Sequence, residues 1–208
     1  MSEPRTTPSE GLSAVVLAAG LSRRMGGEVN KLLLPFGGTP LVRRSVAAVL
    51  GVGLAEVVVV TGHDAANIES ALSGLPVRLV YNPRYGEGQM TSVRAGLEAL
   101  VRPAAGVMVC LSDQPMLTTP DLCAIADAFL ARPGCALLVP TFAGVRGNPI
   151  VLARGSIADI LSRGASFGCK QFVSKNADLV TTFAMPNDHV LIDLDRPEDL
   201  AGLTPAPH

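Results

Sequence analysis

The side chains best suited to chemistry follow a short apolar run near the start of this 208-residue chain. The run ends in small residues and a glycine, which let another molecule approach the main chain closely. Successive N–H groups in such a loop can bind an anion, and the positive charges of Arg24 and Lys31 follow shortly after. Lysine occurs at only three positions of the chain, so Lys31 stands out. The pattern predicts a nucleotide phosphate site made of Leu17, Ala18, Ala19, Gly20, Arg24 and Lys31.

Neither of the two commonest phosphate-binding motifs accounts for this segment. A P-loop needs a glycine, four residues and then Gly-Lys-Ser/Thr, which the spacing from Gly20 to Lys31 does not provide. The dinucleotide motif G-x-G-x-x-G is absent as well. The alternative interpretation is an ordinary strand-to-helix loop in which the glycine serves only the turn.

A second chemical feature is the acidic residue Asp113, which follows the apolar residues 107–111. A carboxylate at the end of a strand can hold Mg²⁺ through one oxygen while substrate phosphates and waters complete the octahedron. The alternative is a capping role, since aspartate often caps the next segment.

Near the end of the chain, alternation over residues 190–194 predicts a strand with Asp193 and Asp195 on one side.

Strands and helices alternate along the chain, and this order determines where the loops meet. We predict strands over residues 14–17, 56–61, 77–81, 106–111 and 135–140, and helices over 41–50, 64–72, 91–101 and 121–130. Thr39-Pro40, Asp64 and Thr119-Pro120 are the expected helix starts. The later part is less regular, with an apolar run at 150–152, helices over 156–161 and 167–173, strands over 179–185 and 190–194, and a terminal helix from Pro197.

This alternation predicts an α/β fold of three layers, a mostly parallel sheet flanked by helices. Ligands of such sheets bind beyond the carboxyl ends of the strands. The loops after four predicted strands, at residues 18–20, 61–63, 81–83 and 112–115, therefore converge on one edge. Asn82 in the third of these loops becomes a candidate nucleotide contact.

Composition limits the class of protein. Hydrophobic residues make up 48% and charged residues 17%, with a net charge of −1, which gives no electrostatic reason to expect a nucleic-acid partner. No apolar run reaches the roughly 18 residues that span a bilayer, so we expect no membrane association and a cytoplasmic protein. Residues 1–12 are expected to form a disordered tail, and 13–203 a single domain. The four cysteines show no metal-binding spacing, which predicts neutral thiols.

The segment from residue 17 to residue 26, with Lys31 and the Leu-Leu-Leu-Pro run after it, resembles the molybdenum cofactor nucleotidyltransferases. That family belongs to the glycosyltransferase-A-like, Rossmann-like nucleotidyltransferase group, and the resemblance extends over nearly the whole chain. Ala19 is similar to the cytidylyltransferase branch, because the guanylyltransferase branch usually has Gly-Gly there. Residues 86–97, 112–115, 144–150 and 192–199 also resemble family segments.

The resemblance implies roles for individual residues. Asp113 matches the metal-binding Asp-x-Pro segment of the family. Either Asp193 or Asp195 would be a second ligand, of Mg²⁺ or on the phosphate side of the nucleotide. Residues 144–150 would lie near the acceptor. The nucleotide-binding residues implied are Leu17, Ala18, Ala19, Gly20, Lys31, Asn82, Gly88, Ser92 and Asp113, with Ser92 as a base contact or, alternatively, a helix cap.

The implied activity is transfer of CMP from CTP to a phosphorylated pterin-type acceptor, the molybdenum cofactor, with release of pyrophosphate. Partners beyond these substrates would be a molybdoenzyme or its chaperone. Alternatives are the same chemistry with GTP or with a methylerythritol phosphate, and a protein of this fold that serves molybdoenzyme maturation or a nicotinamide-dependent reduction. Intact Lys31 and Asp113 argue for the transferase.

Overall fold

The computed structural model describes residues 11–21, 30–162 and 179–195, together with residues 199 and 203. Arg24, Cys169, the predicted helix over 167–173 and most of the predicted terminal helix lie outside the described residues. The strands are β1 Leu12–Ala18, β2 Pro35–Phe36, β3 Thr39–Pro40, β4 Val57–Thr61, β5 Arg78–Tyr81, β6 Gly106–Leu111, β7 Leu137–Phe142, β8 Val145–Arg146, β9 Ile150–Ala153 and β10 Val180–Ala184. The helices are α1 Leu41–Leu50, α2 Ala65–Ala71, α3 Gln89–Ala99, α4 Thr119–Leu130 and α5 Arg154–Ser162.

The main sheet has the strand order β10-β7-β9-β6-β1-β4-β5, with β8 attached to β7. The pairs β6-β1, β1-β4, β4-β5 and β7-β10 are parallel, whereas β9 runs antiparallel to both β6 and β7. The strands β1, β4, β5, β6, β7 and β10 therefore all end at one edge. Because the chain leaves β1 first for β4 and later for β6, the strand order reverses between β1 and β6 at that edge.

Two apolar cores lie on opposite faces of this sheet, as alternating side chains of buried strands require. Ala14, Val16 and Ala18 of β1 pack with α1, α2 and α4 on one face. Val15, Leu17 and Ala19 pack with α3 and α5 on the other. The predicted three-layer, mostly parallel fold is confirmed.

Several local predictions are wrong in instructive ways. Residues 190–194 do not form a strand; His189–Leu191 is a short 3₁₀ helix, and the chain then runs irregularly to Asp195. Helix α4 is capped by Thr118 instead of Thr119, and α1 begins after Pro40 without a side-chain cap. Leu12, predicted to be in the tail, is fully buried in β1.

The helices and the cysteine side chains can also be compared with what a membrane span or a reactive thiol requires. None of the described helices has the length and hydropathy that a bilayer crossing requires. The thiols of Cys110, Cys123 and Cys135 are not joined in disulfides, and burial raises the pKa of the Cys110 thiol to about 12. The Cys110 side chain therefore acts as a small apolar core group.

Candidate active site

A cleft of about 380 Å³ opens at the sheet edge where β1 and β6 end. This is the reversal point of the strand order, where ligands of open α/β sheets bind. The sequence prediction and the cleft agree at seven positions, namely Leu17, Ala19, Gly20, Lys31, Gly88, Ser92 and Asp113. Ala18 is fully buried in the core on the opposite face of the sheet. Any contact of Ala18 with a ligand in the cleft would therefore have to come from its main chain.

At the end of β1, the Leu17 carbonyl is already hydrogen-bonded, whereas the space around Gly20 is open. The Leu17 carbonyl accepts hydrogen bonds from the N–H of Ser112 and, at 2.6 Å, from its hydroxyl, which ties β1 to the end of β6. A Cβ added to Gly20 would have nothing within 4 Å, so packing does not require glycine there. Close approach of a ligand to the main chain remains as a physical reason for this glycine.

Lys31 is the most highly connected side chain of the cleft. Its Nζ donates to Asp113 Oδ2 at 2.7 Å and to the Leu194 carbonyl at 2.7 Å, and lies 3.6 Å from Asp195 Oδ1. The Lys31 side chain is only 15% exposed, so these interactions are partly shielded from water. One ammonium group therefore joins the end of β6 to the closing segment, by which we mean residues 185–195.

The position of Lys31 is itself determined by its neighbour Asn30. The Asn30 side chain caps the short 3₁₀ helix Lys31–Leu33 by accepting from Leu32 N at 3.1 Å. Its Nδ2 donates to Asp64 Oδ2 at 3.3 Å in the loop after β4. Asp64 stands at the expected start of α2 with φ at 58° and makes no side-chain cap to the main chain there. Its carboxylate accepts from Asn30 and, at 2.7 Å, from Asn67 Nδ2 of α2. The contact between Asn30 and Asp64 was not predicted from the sequence, although asparagine is a common capping residue.

Three carboxylates belong to this corner of the cleft, those of Asp113, Asp193 and Asp195. Partial burial raises the pKa of Asp193 to about 6, and the charge of Asp113 adds to the shift, although the residue keeps an exposed edge. In the part of the chain that the structure describes, no three acidic, histidine or cysteine side chains form a complete metal cage. Mg²⁺ does not need one, since it uses one or two carboxylates together with substrate phosphates and waters.

The donor set fits a cation of this kind. The Lys31 ammonium already lies between Asp113 and Asp195, which marks the point between these carboxylates as favourable for positive charge. Both oxygens are hard ligands of the type that Mg²⁺ and Mn²⁺ accept. Alternation along a strand was the wrong reason to group Asp193 with Asp195, because this segment is irregular.

The opposite wall of the cleft is formed by the residues before and within the first turn of α3. Gly88 has φ at 121°, a value that L side chains rarely adopt, and it directly precedes the helix. Ser92 lies one turn into α3, so it is not the helix cap. Tyr85 and Gln89 also line the cleft, and no pattern in the sequence predicted either. A glycine-rich helix start signals small residues here, but gives no information about which side chains project inward.

Asn82 does not line the cleft, in contrast to the prediction that it contacts the nucleotide directly. The residue is 3% exposed and follows β5. Its Nδ2 donates to Thr91 Oγ1 at 2.8 Å and to Ser92 Oγ at 2.9 Å. Asn82 thus contacts the cleft-lining Ser92 from the protein interior.

The loop after β8 meets the closing segment at Val190. The Val190 carbonyl accepts from Asn148 N at 3.0 Å and from Gln114 Nε2 at 3.1 Å. A Cβ on Gly147 would lie 2.4 Å from the same carbonyl oxygen, so only glycine permits this approach. Leu194 N donates to the Asp113 carbonyl at 2.7 Å. The acceptor-side candidates at residues 144–150 are therefore joined to the carboxylate corner through main-chain groups.

Comparison with known proteins agrees with this geometry. Bifunctional protein GlmU of Agrobacterium fabrum is 37% identical over 128 residues, which is 60% of this chain and 28% of that protein. The chain therefore spans little more than a quarter of that relative. A nucleotidyl transferase from Methanothermobacter thermautotroptrophicus, Mth528, superposes with a TM-score of 0.77 at 27% identity, over 92% of this chain and 94% of that one.

Rv0371c from Mycobacterium tuberculosis H37Rv has the same fold, with a TM-score of 0.79 at 24% identity over 93% of this chain and 97% of its own. The family model described as the MobA-like NTP transferase domain matches residues 14–179. This range includes most of β1, Lys31, the first turn of α3, Asp113 and the loop after β8. The family resemblance seen in the sequence is confirmed, and the chain belongs to the MobA-like NTP transferase domain family.

Proposed function

We propose that this chain transfers CMP from CTP to a phosphorylated pterin-type acceptor and releases pyrophosphate. The observation that carries the proposal is the position of Lys31 at the carboxyl ends of β1 and β6, with its Nζ 2.7 Å from Asp113 and 3.6 Å from Asp195. A cation-binding corner beside the open main chain at Gly20 suits a polyphosphate with its metal.

In this reaction an ionised phosphate oxygen of the acceptor attacks the α-phosphorus of CTP. The bond from the α-phosphorus to the bridging oxygen breaks, and the electron pair leaves with pyrophosphate. The nucleophile is already charged, so the protein needs no general base. Positioning and charge neutralisation then supply most of the catalysis.

Each side chain has a part in that scheme. Lys31 turns from its carboxylate partners toward the phosphates, and Arg24, seven positions earlier in the sequence, adds positive charge. Main-chain groups from Leu17 to Gly20 hold the triphosphate. Asp113, with Asp193 or Asp195, would hold a divalent cation that neutralises charge on the phosphates. Residues 144–150 and the closing segment would hold the acceptor, whose product would pass to a molybdoenzyme or its chaperone.

The preference for CTP over GTP rests on the small-residue pattern around Ala19. The Ala19 Cβ lies where a Cβ on Gly62 would come within 2.8 Å, so the loops after β1 and β4 are closely packed at this point. The segment from Gly88 to Ser92 also resembles the cytidylyltransferase pattern. GTP-dependent transfer is the alternative.

Calorimetric titration tests the proposal. CTP, GTP, UTP, ATP and NADPH are titrated separately, each with Mg²⁺ and with Mn²⁺, the latter because the related fold of Rv0371c has been solved with manganese. We expect CTP to bind most tightly, and pyrophosphate release to require a phosphorylated pterin. A preference for GTP would change the donor; binding of NADPH with no triphosphate bound would overturn the transferase proposal.

A further inference from the structure

Asn82 has a hydrogen-bonding arrangement that leaves no donor for a ligand. Both hydrogens of an asparagine amide can be donated, and Asn82 gives its hydrogens to Thr91 Oγ1 and Ser92 Oγ. Its Oδ1 accepts from Arg84 N at 3.0 Å. The reverse orientation of the amide would place an NH₂ group against the Arg84 N–H, so the main chain determines which end faces the hydroxyls.

The two hydroxyls that receive these hydrogens differ in what they do next. Thr91 Oγ1 donates back into its own loop, with the carbonyls of Arg84 and Gly88 both 2.9 Å away. Ser92 has no such acceptor among the described residues, and it lines the cleft. Since Ser92 Oγ already accepts from Asn82, its own hydrogen points away from Asn82. Ser92 therefore presents a hydrogen-bond donor to the cleft.

We propose that Asn82 is a positioning residue, which orients the Ser92 hydroxyl as a donor toward an acceptor atom on the base of the bound nucleotide. This inference rests on the proposed nucleotidyl transfer and adds the direction of the contact. A base that presents a hydrogen in place of that acceptor atom leaves two donors facing each other in a buried site. Unpaired buried polar groups of this kind are the strongest basis for discrimination between similar ligands.

The Asn82 residue is only 3% exposed. Its main-chain N–H also donates to the Thr61 carbonyl at 2.9 Å, which joins the end of β5 to β4. The main-chain bond survives substitution, whereas the side-chain bonds do not. A purely structural role would lower stability and weaken every ligand equally. A positioning role would affect the base contact alone and would depend on Ser92.

A double-mutant cycle separates these possibilities. Asn82→Ala, Ser92→Ala and the double variant are titrated with Mg²⁺–CTP and with Mg²⁺–tripolyphosphate, which has no base. Each single change is expected to weaken CTP binding about tenfold, the effect of one lost hydrogen bond that leaves a polar group unpaired. In the Ser92→Ala background, Asn82→Ala should cause no further loss, and tripolyphosphate affinity should stay unchanged throughout.

Two further variants keep the test decisive. Asn82→Asp retains the size of the side chain but accepts from Ser92 instead of donating, so it should weaken CTP binding even if Asn82→Ala does not fold. Ser70→Ala, at an exposed position of α2, is the control and should bind CTP normally. Additive losses in the cycle, or equal losses for CTP and tripolyphosphate, would overturn the positioning role. If the unaltered protein binds no triphosphate, the proposed function itself fails; if it binds CTP and Asn82 variants do so equally well, only this inference fails.

Discussion

The cleft has two sides that are held together by different kinds of contact. On the nucleotide side, the first turn of α3 is positioned by bonds between near neighbours, such as Asn82 to Ser92, ten positions apart. On the closing side, Lys31 reaches the Leu194 carbonyl across 163 positions, and Gln114 reaches Val190 across 76. The first side is assembled by local sequence, and the second only when distant parts of the chain have met.

The chemical groups also differ. The closing segment is held at Val190 and Leu194 through their carbonyls, which every residue type possesses. Substitution of these residues would not remove the contacts, so the contacts are tested through their partners. The nucleotide side uses hydroxyl, amide and glycine positions, where residue type decides the interaction. Nucleotide binding and transfer, measured independently, distinguish changes on the nucleotide side from changes on the closing side.

The largest expected effect is that of Asp113→Asn, which acts where the two sides meet. The substitution keeps the size and one oxygen but removes the charge that a divalent cation requires. We expect transfer to fall by about 10²–10³-fold or more with the protein still folded. Asp193→Asn and Asp195→Asn, compared in the same Mg²⁺ titration, identify the second ligand, because only one of them should approach this loss.

Asp188→Asn is the matched control for these carboxylate variants. Asp188 lies on the closing segment, is exposed and makes no side-chain cap. Its change should leave the Mg²⁺ dependence as it is. Full activity of Asp113→Asn over the whole titration would place the metal site elsewhere.

Lys31→Ala should follow in size and should affect both sides of the cleft. Loss of the phosphate contact is expected to slow transfer by about 10²-fold. The same change leaves Asp113 and the Leu194 carbonyl without this donor, so stability should fall by about 1–2 kcal/mol, more than for an ordinary surface lysine. Urea unfolding and pyrophosphate release measure the two effects, with the exposed Arg102→Ala as control. Unchanged transfer would show that Lys31 serves only to hold the closing segment.

Gly147→Ala is expected to disturb the closing side alone. Its Cβ would lie 2.4 Å from the Val190 carbonyl oxygen and 2.8 Å from the Val190 Cβ, so the closing segment has to move. We expect a stability loss of about 1–3 kcal/mol and slower transfer with CTP affinity retained. Gly155→Ala, where a Cβ meets nothing within 4 Å, is the matched control and should be neutral or stabilising by about 0.5 kcal/mol. If CTP affinity falls as far as transfer, the two sides are not separable.

The sequence allowed good predictions wherever a residue's role depends on its position after a strand. Gly20 and Asp113 both line the cleft, because parallel strands that end together bring their loops together. The three-layer fold followed from the same alternation. These arguments need only the order of apolar and polar segments along the chain.

The sequence could not predict how the closing segment is held. Val190 and Leu194 are both fully buried. The alternation of Ile192 and Leu194 with two aspartates imitates a strand, yet the main-chain partners of this segment lie in loops. Asn82 was expected to contact the nucleotide because it follows a strand, but its donors are used within the protein. The two cases have one cause: a pattern of residue types gives no information about which hydrogen-bond partner is within reach.

The smallest expected effect concerns Asp121, which fastens the beginning of the closing segment to α4. Its carboxylate accepts from Asn187 Nδ2 at 3.0 Å and Thr118 Oγ1 at 2.6 Å, and lies 2.8 Å from His189 Nδ1. Partial burial by itself would raise the pKa of Asp121, but the hydrogen bonds from Asn187, Thr118 and His189 outweigh it and leave the pKa below the ordinary 3.8. A carboxyl whose pKa is lower in the folded state stabilises the protein above the unfolded pKa, and this contribution disappears as the pH falls through the folded pKa.

Asp121→Asn should therefore lower the free energy of unfolding by about 1–2 kcal/mol near neutral pH. The difference from the unaltered protein should stay constant down to about pH 5 and shrink below about pH 4, where the carboxylate first takes up a proton in the unfolded state. Urea unfolding over this pH range measures it, with Glu98→Gln as control, since the Glu98 side chain is 59% exposed. CTP binding should not change, because Asp121 does not line the cleft. A stability difference that does not depend on pH would mean that the shape of the side chain, and not its charge, holds the closing segment in place.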